Sequence, residues 1–174
     1  VKELAAAVGL SQTGLLHYFG SKENLFIEVL RRRDSTDQQD FVPLGDPADN
    51  VRNFGAALGD IVHRNSQVPG LVQLSTSVTA EAISDDHASH EYFRDRYRQI
   101  TAVFADTAER FKDEGLADSS VDADKVGVLT MALIEGLQTQ WLYDPQIDMA
   151  AHIRYFWQLI DHAGESSEAP DRTA

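Results

Sequence analysis

No cysteine occurs in the 174 residues. That excludes a disulfide framework, a thiolate nucleophile and any cysteine-based zinc site. Nor is there a run of about eighteen apolar residues, the length a helix needs to cross a bilayer, so no membrane partner is expected. The opening VKELAAAV lacks the basic-then-apolar pattern of a secretory signal, and a reducing cytoplasm is the expected compartment. The chain starts at Val1 rather than Met, which leads us to expect a preceding segment. Enzyme signatures are missing too: no Gly-rich phosphate loop, no dinucleotide fingerprint, no Gly-x-Ser-x-Gly and no His-Glu-x-x-His. The acids are scattered, no carboxylate pair stands out, and neither catalytic residues nor a cofactor are expected.

Positive charge is also scarce. The formal net charge is −13, which on its face argues against a polyanionic partner. The distribution says more than the sum. Residues 1–33 carry five basic groups (Lys2, Lys22, Arg31, Arg32, Arg33) against three acidic ones, whereas the remainder carries ten against twenty-five. A mildly basic head on a strongly acidic body can present one face to a polyanion.

The head has its own pattern. Leu4, Ala5 and Val8 recur at helical spacing, and Gly9 ends that helix because glycine adopts the left-handed conformation of a C-terminal cap without steric cost. Leu10 is expected to tuck back as an apolar plug. Ser11 suits the N-cap of the next helix, which buries Leu15 and Phe19 and leaves Gln12, Thr13 and His17 on its other side. Two helices joined by a tight Gly-containing turn form a helix-turn-helix, whose second helix enters the major groove. The polar set suits a reader. Gln bonds adenine bidentately, Thr offers a methyl to thymine, Ser bonds bases or phosphate, and His17 and Tyr18 carry donors for backbone oxygens. The bland alternative is a helical hairpin with a solvated face.

SQTGLLHYFGSKENLFIEVL resembles the recognition helix and following helix of the tetracycline-repressor (TetR) family of bacterial transcription regulators. In that family an aromatic-ending recognition helix runs into a Ser-Lys-Glu-x-Leu start; here those residues are Phe19, Gly20, Ser21, Lys22, Glu23 and Leu25. The resemblance implies that Ser11, Gln12, Thr13, Gly14, His17, Tyr18 and Lys22 face DNA. It also implies that the family helix preceding Val1 is missing from this sequence. One departure is Leu16, where the family often has a phosphate-touching Tyr.

Beyond Leu25 the chain reads as all helix. One helix is expected to end in Arg31–Arg33, a solvated cluster near the C-terminal dipole. Most of the stretch that follows, DSTDQQDFVPLGDP, reads as a connector, being polar and broken by Pro43, Gly45 and Pro47. Asp46-Pro47 then starts a helix to about Gln67. Further helices are expected at 71–83, 88–114, 125–143 and 148–163, with ESSEAPDRTA a disordered tail. SDDHASHEY sets His87 and His90 three apart, at metal-ligand spacing, yet its place at a helix start reads as capping, and no metal is expected. His63, His152 and His162 are isolated in sequence.

The last two helices carry apolar surface too wide for one neighbour: Val126, Leu129, Leu133 and Leu137 on one, and Ile153, Phe156, Trp157 and Ile160 on the other. Gly127 and Gly136 each cost about 1 kcal/mol relative to Ala in a helix interior, which suggests close approach of another backbone. A homodimeric four-helix interface follows as the expectation, and the family dimerises in this way. The resemblance further implies an effector pocket among the central helices, its ligand an unknown small molecule. Candidates for its lining are Phe54, Leu58, His63, Leu74 and Val78, together with Tyr97, Phe104, Gln138 and Trp141; each is also an ordinary core residue.

The expected architecture is all-α: an N-terminally incomplete helix-turn-helix head (1–38), a helical effector-binding and dimerisation body (46–164), and a tail (165–174). The expected function is a homodimeric transcription regulator bound to double-stranded DNA at a palindromic operator, with repression and ligand release carried over from the family. The alternative is a helical ligand-binding or interaction protein without functional DNA binding.

Overall fold

A computed structural model of the chain describes residues 1–40, 51–68 and 70–162. Eight helices occur among them: α1 (Lys2–Ala7), α2 (Gln12–Phe19), α3 (Lys22–Asp40), α4 (Phe54–Ser66), α5 (Leu71–Glu81), α6 (His90–Asp113), α7 (Ala123–Tyr143) and α8 (Met149–His162). No strand is present among the described residues.

Local chemistry sets the head. Gly9 sits at φ +69°, and the Leu10 amide reaches back to the Ala5 carbonyl at 2.9 Å, closing α1 as a left-handed glycine cap does. Ser11 caps α2 by accepting the Gly14 amide at 2.9 Å, and Ser21 does the same for Asn24 at the start of α3, at 3.1 Å. Ala5, Leu15 and Leu25 make a small core, flanked by Val1, Phe19 and Phe26. Leu10 departs from expectation: it is 39 % exposed and plugs nothing.

The helix leaving the head is longer than expected. α3 runs to Asp40, so residues 34–40 are helix and not connector. Arg33 therefore lies within a helix and not at a solvated end. Partners on the body account for this: Asp34 accepts from Arg96, and Asp37 from Asn65 at 3.0 Å. The expected Asp46-Pro47 helix start and the 165–174 tail lie outside the described residues.

In the body, α6 pairs most extensively with α7, and α4 with α8. Trp157 and Ile153 of α8 are fully enclosed with Phe54, Phe104 and Phe111 in the main core. Gly127 explains the α6–α7 approach, because a Cβ there would sit 2.5 Å from the Thr101 carbonyl oxygen. The close neighbour inferred at Gly127 is thus α6 of the same chain, whereas nothing lies within 4 Å of a Cβ on Gly136. Head and body meet at a second cluster, where Leu30 of α3 is buried against Val78, Ala82 and Phe93, with Phe26, Leu74 and Tyr92 around it.

Candidate DNA-reading face and ligand cavity

The extended backbone at Ser11 (φ −75°, ψ 156°) aims its hydroxyl at the first turn of α2. Its acceptor role is then taken by the Gly14 amide, leaving the O–H free to donate. A larger residue at Gly14 would meet that hydroxyl, since a Cβ would lie 3.1 Å from it. With Leu15 buried and Leu16 half-buried, the helix presents Gln12, Thr13, His17 and Tyr18 outward. Tyr18 is 76 % exposed, and its ring stands edge-on to His17 with centroids 6.3 Å apart. Lys22, at the start of α3, is also exposed, its ammonium 5.3 Å from the centre of the Phe26 ring. The outward side chains of the head thus include donors, acceptors, a methyl and a cation, the mix that base edges and phosphates require.

A cavity of about 130 Å³ lies between α3, α4, α5, α6 and α7. Leu58, Ile61, Phe104, Met131 and Ile134 form its apolar side, and Arg33, Asp34, Asp37, Asn65 and Arg96 its polar side. An open groove of about 570 Å³ lies alongside, lined by residues of α5, α6 and α7 that include Thr79, Phe93, Tyr97 and Thr139. Ser75, Glu135 and Gln138 line both spaces and so form the wall between them. The Tyr97 hydroxyl donates to Glu135 across that wall. Burial and the neighbouring carboxylate both push the Tyr97 hydroxyl far above the ordinary tyrosine range.

The polar side is an ion network. Arg96 grips Asp34 with two hydrogen bonds, Nε to Oδ2 at 2.5 Å and Nη2 to Oδ1 at 2.9 Å, and Arg33 adds two more to Oδ1, from Nη2 at 3.0 Å and Nε at 3.3 Å. Burial raises the Asp34 pKa, but the two guanidinium groups outweigh it and the carboxyl sits below its ordinary value. Asp37 is the opposite case. Burial dominates there, the help from Asn65 and Arg33 falls short, and its pKa is raised.

The nominated pocket residues separate into three groups. Leu58, Phe104 and Gln138 line the cavity, and Tyr97 lines the groove with Gln138. Phe54 and Trp141 belong to the main core, and Leu74 and Val78 to the head–body junction. None of these four lines either space. His63 is corrected outright, because its side of α4 is solvent-exposed and it lines neither space. Sequence reasoning missed this charged wall, having placed Arg33 at a solvated helix end and Asp34 and Asp37 in a stretch read mostly as connector.

The nominated interface residues divide as well. Val126, Leu137, Ile153 and Trp157 are buried in the chain's own core, so they are unavailable to a partner. Leu133, Phe156 and Ile160 are half-buried, and Leu129 is 55 % exposed. Other apolar residues of α7 and α8 also face outward: Val128, Tyr143, Tyr155 and Leu159 are all more than half exposed. In the SDDHASHEY segment, Ser84 donates to Asp86 at 2.5 Å, and His90 Nδ1 lies 3.0 Å from the Ala82 carbonyl. These contacts close the turn between α5 and α6.

Two family models match this chain. Residues 1–29 match that of the bacterial regulatory proteins of the tetR family, and residues 54–163, more than half the chain, match the BetI-type transcriptional repressor C-terminal domain. The chain belongs to the TetR family. No curated protein and no solved structure matched it significantly. As a TetR-family member it is a DNA-binding transcription regulator, with its helix-turn-helix head at the N-terminus and a helical body behind it. No described helix is long and apolar enough to cross a membrane.

Proposed function

We propose that the chain acts as a homodimeric repressor, released from a palindromic operator when a small ligand enters the body. The observation that carries this reading is the position of the cavity, whose polar wall is built from α3, the helix leading directly out of the DNA-reading head. At about 130 Å³ the cavity is smaller than the roughly 300–1,000 Å³ of common ligand sites. The exposed apolar strip of α7 and α8 supports a twofold partner, since a monomer rarely leaves such a surface in water. Pairing two heads would match half-sites about 34–36 Å apart.

The test is selection of sites from random duplex DNA by the full-length protein. A palindrome should be enriched, and the enrichment should vanish with Gln12→Ala plus Thr13→Ala. Its affinity should fall steeply with salt as released counterions require. A folded dimer that enriches nothing at low salt would return the chain to the class of helical ligand-binding or interaction proteins.

A further inference from the structure

Two kinds of contact hold α3 to the body. Leu30 packs into the apolar junction cluster, and such packing has no direction of its own. The Asp34–Arg96 pair is different. It joins residues 62 positions apart by two parallel hydrogen bonds, and its side chains are 20 % and 11 % exposed. A bidentate pair largely out of water fixes both rotation and axial position, which a single contact cannot do. Both partners also line the inner cavity. The α6–α7 wall is closely packed: Gly127 admits the Thr101 carbonyl, and Phe104 is buried in the main core.

We propose that Arg96 is the positioning residue for the DNA-reading head: it latches α3 to the body through Asp34, and an occupant of the cavity opens that latch. This inference rests on the ligand-released regulator reading above. An occupant lying on Ile100, Phe104, Met131 and Ile134 meets the guanidinium and the carboxylate on its polar side. One larger than the cavity must move a wall, and the wall held by discrete polar contacts yields before those held by close-packed helices. Opening the latch frees α3 to shift, and the head moves with it.

Hydrogen exchange on the full chain tests this without knowledge of the ligand. In Arg96→Gln, amides 33–40 should exchange about tenfold faster while amides 126–137 keep their protection, because opening is local. Adding Asp34→Asn should change nothing further, since two halves of one interaction are not additive. Arg96→Lys keeps the charge but loses the fork and should fall between. Ile100→Trp fills the cavity and serves as a fixed occupant; Ser75→Leu does the same from α5 if the first fails to fold. Either filling variant should loosen 33–40 in the native background and not in Arg96→Gln. Affinity for the selected operator should drop at least about fivefold in each loosened variant, within the usual range of allosteric coupling. Unchanged exchange at 33–40 in Arg96→Gln overturns the latch, as does equal loosening of 126–137, which would mark Arg96 as merely structural. Filling variants that leave 33–40 protected overturn the link to the cavity. If the native chain binds no DNA, the regulator reading falls, and the exchange results still decide the latch.

Discussion

Trp157 stands edge-on to Phe54 with ring centroids 4.7 Å apart, and this approach depends on the residue after the phenylalanine being glycine. A Cβ on Gly55 would lie 2.6 Å from the Trp157 Cβ, a rigid point that no rotamer change removes. Gly55→Ala should therefore destabilise the fold by about 1–3 kcal/mol through overpacking, partly offset by up to about 1 kcal/mol of better helix propensity. Urea denaturation would measure the difference. An unchanged midpoint would mean that α4 and α8 can separate at no cost.

The two glycines of α7 should respond in opposite ways. Gly127→Ala collides with a backbone carbonyl and should destabilise the chain, while Gly136→Ala enters open space and should stabilise a lone chain by up to about 1 kcal/mol. If the outer strip is the dimer face, Leu129→Asp should shift the sedimentation coefficient from dimer toward monomer with the helical content unchanged. A dimer that tolerates this substitution would place the interface elsewhere.

On the reading face, capping and recognition can be separated. Ser11→Ala removes the acceptor for the Gly14 amide and should cost about 1 kcal/mol of stability. Gln12→Ala breaks no hydrogen bond described in the structure and should leave stability alone while relaxing discrimination by about 1–3 kcal/mol at one base position. Lys22→Ala should weaken all DNA alike and lower the salt slope by about 1. Thermal melts and salt-titrated binding distinguish the three.

The aspartates of α3 make opposite contributions to stability as pH changes. The Asp34 pKa is depressed below the ordinary 3.8, so its stabilisation is present above 3.8 and is lost as pH falls through the depressed value. Asp37 has a raised pKa. Its contribution is therefore full below 3.8 and is lost as pH rises through the raised value. Asp37→Asn should thus gain stability at neutral pH, because the amide oxygen can still accept from Asn65. Asp34→Asn should lose stability there, near the lower end of the roughly 3–5 kcal/mol for breaking a buried pair, since Asp34 keeps 20 % of its exposure. Denaturation midpoints between pH 3 and pH 8, a range set by the ordinary aspartate value and neutrality, check both signs.

Much of this molecule was written locally. The Gly9 turn, the Ser11 and Ser21 caps and the Asp122 cap on α7 each depend on groups within five positions of one another. The helix bounds and the reading face of α2 follow from them. Apolar spacing likewise marked the main core. It could not say which apolar residues would be consumed by the chain's own packing, as Trp157 and Ile153 are, and which would be left outward, as Leu129 is.

By itself, then, the sequence determined a helical head with an outward polar face on α2 and a helical body, because caps, turns and periodicity are short-range. Only the tertiary structure decided that α3 continues to Asp40, and that its acids line a cavity. The partners that stabilise that extension, Arg96 for Asp34 and Asn65 for Asp37, lie 62 and 28 positions along the chain. No local spacing encodes such a meeting. Read alone, a polar run without apolar period is a connector, and it is helix here because the folded body supplies a guanidinium and an amide donor for its acids.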